Sequence, residues 1–181
     1  MADYRFQRTD KLIRQAFLEQ LSHHDFMTLT IAKIAKTSLI DRSTFYAHYD
    51  SLYDLAVSVI QDELRLLSDS LETTLVNRKS DQFNTYDFFN HAVLNQLNRE
   101  AANIQQLRLI SLGEQGFDNQ CKQIFADYYQ QIFSVQPNSY MLFLLINIAM
   151  SDLDYILINH QAPSRHDLTS SLQRILKASP L

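Results

Sequence analysis

The chain has 181 residues, of which 46% are hydrophobic and 20% charged, with a formal net charge of −4. This composition excludes a disordered chain and supplies a sizeable core, and the acidic balance confines any contact with nucleic acid to a local surface. Only two glycines and three prolines interrupt it, which argues for helices.

A single cysteine, Cys121, excludes an internal disulfide framework and fits a reducing compartment. The opening MADYRFQRTDKLIRQ is too polar for a signal peptide. The longest apolar run, Tyr140 to Ala149, is interrupted by Asn147 and is short for a bilayer. The expectation is a soluble, cytoplasmic protein with no membrane partner.

Thr9 to Leu21 carries Leu12, Ile13, Ala16, Phe17 and Leu21 at helical spacing. Arg5, Arg8, Lys11 and Arg14 lie at or before its start, either as a solvated face or as a basic arm for phosphate. His23, His24 and Asp25 make a polar turn. Adjacent histidines cannot share one helix face, so no metal site is expected there.

Thr30 is placed to cap a short helix from Ile31 to Thr37, with Ile31, Ile34 and Ala35 inward. Ser38, Leu39 and Ile40 form a turn, and Ile40 plugs the core. Asp41 caps a second short helix, with Phe45 inward and Arg42, Thr44 and Tyr46 outward. Two short helices joined by such a turn form a helix-turn-helix, which sets its second helix in a DNA major groove. Ser51 with Asp54 forms a capping box, so a new helix starts beside that reader, and its free N–H groups suit a phosphate.

Leu52 to about Leu75 reads as one long helix, carrying Leu55, Val59, Leu64, Leu67 and Leu71. Asn77 to Asn84 is a polar loop. Thr85 caps a helix to about Leu97 or Asn98, and another runs from about Glu100 to Leu112. Gly113 to Gly116 breaks the pattern, and a helix follows from Phe117 or Asp118 to Phe133. Pro137 opens an apolar helix ending near Asn159 or His160. Ser164 and Asp167 form a second capping box for a last helix to about Lys177. Asp152 and Asp154 are expected to face water or a basic neighbour.

The helix from Tyr140 to Tyr155 is apolar nearly all round, so it must bury more than one side. Paired with Leu168, Leu172, Ile175 and Leu176 of the last helix, it supplies two helices per subunit, and a two-fold axis makes them a four-helix bundle. Candidate dimer residues are Leu153, Tyr155, Ile156, Leu168, Leu172, Ile175 and Leu176. Candidate pocket residues for a small apolar or aromatic effector are Tyr86, Phe89, His91, Tyr128, Tyr129, Asn147 and Met150, which combine apolar bulk with a polar handle. Plain core is the competing reading for the aromatics, and Asn147 must find a partner in the protein, across a dimer or in a ligand.

Catalytic signatures are missing. The sequence has no glycine-rich phosphate loop and no HExxH, CxxC or GxSxG. Cys121 has no histidine near it in sequence, and Asp152 and Asp154 point to different sides of a helix. Neither an enzyme nor a cofactor is expected.

Residues of about 9 to 55 resemble the N-terminal domain of the tetracycline-repressor (TetR) family of bacterial transcription regulators. The matching pieces are IAK at Ile34–Lys36, STFY at Ser43–Tyr46, HY at His48 and Tyr49, and Leu55 after the helix restart. The match is nearest to the branch that includes dihydroxyacetone-kinase regulator-like proteins. Two positions depart from the pattern: Leu39 stands where the family often has a turn glycine, and Leu52 where it usually has a phosphate-binding lysine. Residues 1–55 also hold seven Lys or Arg against seven Asp or Glu, so the reader is formally neutral.

The resemblance implies an all-α fold. A three-helix DNA-binding domain (residues 1–51) would be joined by a long helix to a regulatory and dimerisation domain (residues 52–181). It implies a homodimer acting as a repressor on a near-palindromic double-stranded operator, released by an effector that tilts the long helix. Arg42 would read a base edge, Thr44 a phosphate or thymine methyl, and Tyr46 and His48 phosphates. Lys33, Lys36, Ser43, Ser51 and Leu52 complete the expected DNA-facing set. The competing reading is a dimeric adaptor or effector-binding protein of the same fold that has lost operator binding.

Overall fold

The structure is a computed structural model and describes residues 2–76 and 89–178. Eight α-helices occur among them: α1 (Ala2–Leu21), α2 (Ile31–Thr37), α3 (Arg42–Tyr46), α4 (Leu52–Val76), α5 (His91–Arg108), α6 (Phe117–Phe133), α7 (Tyr140–Asn159) and α8 (Arg165–Ala178). Single 3-10 turns lie at Phe26–Thr28 and Gly113–Gln115, and no strand occurs among the described residues. The chain sorts into two compact units. One comprises Met1–Leu64 with Ala102–Gln120, and the other Arg65–Ala101 with Cys121–Leu181.

The first unit is organised by a helix longer than its sequence suggested. Periodicity placed the start at Thr9, yet α1 begins at Ala2. Phe6, Asp10, Ile13 and Phe17 fall along one face at steps of four, three and four residues, with Ile13 and Phe17 completely buried and Phe6 still 49% exposed at its outer end. Ile13, Phe17, Ile34, Phe45, Leu55 and Ile60 are completely buried, each contributing about 1.5–3 kcal/mol of burial. α2 packs on α1 and on α3.

The α2–α3 turn has a definite hydrogen-bond logic. Leu39 N–H donates to the Lys36 carbonyl at 3.3 Å, and Ile40 N–H donates to the Ala35 carbonyl at 3.0 Å. These are the paired bonds that end a helix through a left-handed residue, and Leu39 holds that position at φ +56°. Its side chain is 92% exposed, so no packing repays the strained backbone. Ser38 is buried and donates to the Ile34 carbonyl at 2.7 Å.

Capping follows the sequence in part. Thr30 accepts from Lys33 N–H at 3.2 Å, and Ser164 and Asp167 exchange both bonds of a capping box. Asp41 occupies the cap position of α3 but makes no capping bond with its side chain. At α4, Ser51 Oγ accepts from Asp54 N–H at 3.0 Å, while the Asp54 carboxylate reaches the Asp50 N–H at 3.1 Å rather than that of Ser51.

In the second unit, the two helices expected on either side of Arg99 are a single one. α5 runs from His91 to Arg108 without a break, because Asn98, Arg99 and Glu100 contain no residue that stops a helix. Its cap is Asn90, whose Oδ1 accepts from the N–H groups of Ala92 and Val93. The expected polar loop from Asn77 to Asn84 and the Thr85 cap lie outside the described residues. α7 starts at Ser139, which accepts from Leu142 N–H, and closes at His160 in the left-handed region, φ +59°.

α7 runs ten residues beyond the apolar run ending at Ala149 and, with a mean hydropathy of 1.8, is long and apolar enough to cross a membrane by length and composition alone. Its inner side holds Leu142, Ala149, Met150, Leu153, Ile156 and Leu157. Asp152 is buried too, at 7% exposure, which corrects the expectation that it faces water. One of its carboxylate oxygens, Oδ2, has no hydrogen-bond partner among the described residues, and burial pushes its pKa up to about 6.

Candidate nucleic-acid interface

The candidate surface is built by α3 and the turn before it. Phe45 is completely buried and fixes the rotation of α3, so Arg42, Ser43 and Tyr46 point out. Tyr46 is 56% exposed and Thr44 half-buried. On α2, Lys36 is exposed and Lys33 half-buried. Ser51 and Leu52 are half-buried at the start of α4. The Ser51 oxygen already accepts a backbone bond, and the Asp54 carboxylate lies in the same turn, so the negative charge there opposes an incoming phosphate.

Behind α3 lies a network the sequence did not announce. Tyr49 donates to Asp10 Oδ1 at 2.5 Å, and Arg14 Nε donates to Asp10 Oδ2 at 2.7 Å. Arg14 also donates to Ser58 Oγ at 2.7 Å, pairs with Asp62 at 2.9 Å, and sits 5.6 Å from the Tyr49 ring centroid. Burial pushes the Asp10 pKa up, but the bonds from Tyr49 and Arg14 outweigh it and hold the carboxyl below its usual range. Burial and the Asp10 partner raise the Tyr49 phenol. Arg14 therefore belongs to the scaffold between α1 and α4, not to a basic arm.

His48 lies deeper than an open phosphate contact would. Its side chain is 3% exposed, its Nδ1 lies 3.6 Å from Asp10 Oδ1, and its ring stacks on Phe6 at 3.8 Å between centroids. A ring so covered is packed into the scaffold and has little surface to offer a phosphate. Phe6, which supplies the cover, was missed because the helix was expected to begin after it.

Beside this stack, Arg5, Phe6, Thr9, Ser43, Thr44, Ala47 and His48 line a cleft of about 660 Å³. The Thr9 hydroxyl is occupied by the Arg5 carbonyl at 3.1 Å. The donors left for a guest are the Arg5 guanidinium and the Ser43 and Thr44 hydroxyls, groups that suit phosphate oxygens. The structure thus brings Ser43, Thr44 and His48 together with the start of α1. Lys33, Lys36, Arg42 and Tyr46 do not line this cleft.

The other two residue sets separate on burial. Among the pocket candidates, Phe89, Tyr128, Tyr129 and Met150 are buried, His91 and Asn147 are exposed, and Tyr86 lies outside the described residues. Asn147 finds its partner in its own helix, donating to the Phe143 carbonyl at 2.7 Å, so it is not an interior anchor. Among the dimer candidates, Leu153 and Ile156 are completely buried within one chain and cannot face a partner. Tyr155, Leu172, Ile175 and Leu176 are exposed at 41, 40, 63 and 68%, and Leu168 is half-buried. The outer face of α7 further exposes Tyr140, Met141, Phe143, Leu144 and Ile158, residues that a sequence apolar on all sides could not sort from the core.

No family model matches the sequence, and no curated protein matches it. Among solved structures, the chain is similar to the TetR family repressor AlkX from Dietzia sp. strain DQ12-45-1b, described as implicated in biodegradation of n-alkanes. The TM-score is 0.45 and the identity 15%, over 92% of each chain.

Proposed function

We propose that the chain is a DNA-binding transcription regulator of the tetracycline-repressor kind, acting in the cytoplasm as a homodimeric repressor, and that it is not an enzyme. The observation that carries this reading is the presentation of α3. A buried Phe45 and a closed left-handed turn hold a five-residue helix with Arg42, Ser43 and Tyr46 outward. The STFY and HY residues support the family, and with less weight the dihydroxyacetone-kinase regulator-like branch. Residues 1–51 would read DNA and residues 52–181 would dimerise and respond to an effector. In a dimer, two readers roughly 34 Å apart would enter successive major grooves of a near-palindromic operator.

Arg42 takes the base edge, Ser43 and Thr44 take phosphates with Arg5, and Tyr46 takes a phosphate. Lys33 and Lys36 add backbone charge. The effector would be small and apolar or aromatic, and Phe89, Tyr128, Tyr129 and Met150 remain its proposed lining. Fluorescence anisotropy on duplexes from the DNA flanking the chain's own gene tests the reading. Sequence-specific binding that weakens steeply between about 50 and 200 mM salt supports it.

A dimeric adaptor without operator binding is the second reading. It is favoured by the seven-to-seven charge balance of residues 1–55 and by the covered His48 ring. Intact dimers with no binding at low salt would select it.

A further inference from the structure

The polar turn that follows α1 has no part in the function proposed above. With the 3-10 turn Phe26–Thr28 it forms one wall of a second cleft, of about 330 Å³. The end of α5 and the residues after it form the other wall. Both walls belong to the first compact unit, although they lie far apart in sequence. Met27 and Leu109 line the cleft from opposite walls and are 90 and 77% exposed. Phe26 is half-buried, and its ring meets the completely buried Phe17 edge to face at 6.3 Å, so the core fixes it in place. A single exposed apolar side chain needs no explanation, but two on opposite walls beside an anchored aromatic make an apolar lining.

The polar groups of the cleft are uncommitted. Thr28 N–H and the Thr28 hydroxyl both donate to the Asp25 carbonyl, at 2.9 and 2.8 Å, while the Asp25 carboxylate makes no capping bond. The side chains of His24, Asp25, Gln106 and Ser111 line the cleft with no hydrogen-bond or ion-pair partner among the described residues. No lysine or arginine lines it.

We propose that this cleft binds a small aromatic ammonium ion. The Asp25 carboxylate pairs with the ammonium group, and the Gln106 carbonyl and the Ser111 hydroxyl accept its remaining N–H groups. Phe26, Met27 and Leu109 cover the apolar body, with the Phe26 ring and the Met27 sulfur as polarisable contacts. The volume lies at the small end of the usual range of about 300–1,000 Å³ for ligand sites. An anionic guest would face Asp25 with no cation to offset it, so the cleft is not an extension of the phosphate-binding surface. A neutral guest would cover the carboxylate and leave it without a partner. A bound cation touches the α1–α2 connection and the end of α5 at once, and so holds together two segments of the unit that carries the helix-turn-helix. The site is separate from the proposed effector lining, because Phe89, Tyr128, Tyr129 and Met150 belong to the other compact unit. It stands without the DNA-binding reading.

The methionines make the test local. The chain has four, of which Met27 lines this cleft and Met150 belongs to the proposed effector lining. Their methyl NMR signals, assigned with Met27→Leu and Met150→Leu, report the two places separately in the full chain. Phenethylammonium is titrated to about 10 mM, enough to fill a site of about 1 mM affinity, beside phenethyl alcohol and phenylacetate. The expected result is a saturable shift of the Met27 signal with the ammonium ion and none with phenylacetate. Asp25→Asn should weaken the ammonium ion about two- to fivefold, the range of an exposed ion pair, and leave the alcohol unchanged. Leu109→Gln should weaken both by about threefold or more. Both side chains are exposed, so the variants should melt with the native chain. No movement of the Met27 signal, or an equal response to phenylacetate, overturns the proposal. A response confined to Met150 also overturns it and supports the effector lining instead.

Discussion

The Tyr49 hydroxyl donates to Asp10 Oδ1 at 2.5 Å, across 39 residues of sequence. This bond joins the end of the helix-turn-helix to α1, and Arg14 extends it to Ser58 and Asp62 on α4. The helix-turn-helix is therefore held by a charged network as well as by its small apolar core. Replacing Tyr49 with Phe removes one bond to a carboxylate and should cost about 1.5–3 kcal/mol, measured by urea denaturation. A cost below about 0.5 kcal/mol would mean that Arg14 alone holds Asp10.

The same network has an acid limit. The folded Asp10 pKa is depressed, so its contribution is present above the unfolded value near 3.8 and is lost as pH falls through the lower folded value. Native chain and Asp10→Asn should converge in stability at low pH and separate as pH rises past about 4. A constant difference from pH 2 to 7 would contradict this.

Asp152 acts with the opposite sign. Its folded pKa is raised to about 6, so the stability linked to its proton is full below 3.8 and is lost as pH rises to about 6. Asp152→Asn should leave stability nearly unchanged at pH 4 and raise it by about 1–2 kcal/mol at pH 7.5, a value reduced for partial solvation. Thermal melts at the two pH values would show it.

Leu39 should be improvable. Glycine at φ +56° relieves a left-handed penalty of about 1–2 kcal/mol and returns part of it as unfolded-chain entropy. Leu39→Gly should gain about 0.5–1 kcal/mol in stability. A loss would show that the exposed leucine has a role in the folded protein beyond its backbone.

The reader assignments separate by substitution. Arg42→Ala should weaken specific DNA binding by about 1–3 kcal/mol and relax preference at one base pair. Tyr46→Phe should lower affinity without changing the oligomeric state. His48→Phe keeps the ring stacked on Phe6 and should hold DNA affinity within about threefold, whereas a phosphate-binding His48 would lose about tenfold or more. Anisotropy titrations of the three variants beside the native chain decide among these roles.

Local signals in the sequence carried well where the side chain acts on its own neighbourhood. Thr30, Ser164 and Asp167 cap as their spacing indicates, and the turn falls between the two short helices at Leu39. Long-range partners were hidden. Nothing in the order of residues says that Asp10 meets Tyr49, or that Phe6 covers His48, because both depend on how α1 is laid against the short helices. α7 hid its faces for another reason: with apolar residues on every side, hydropathy cannot tell Leu153 from Phe143, and only packing separates them.

The chain passes between its two compact units at residues 64/65, 101/102 and 120/121, and these points lie within α4, α5 and α6. No loop marks a place to cut. A fragment ending at residue 64 would lack Ala102–Gln120, which belong to the same unit. Limited proteolysis should release no folded reader, and grafting the helix-turn-helix onto another body would require carrying this later segment with it. A reader cut out at residue 64 would therefore leave part of its own compact unit behind.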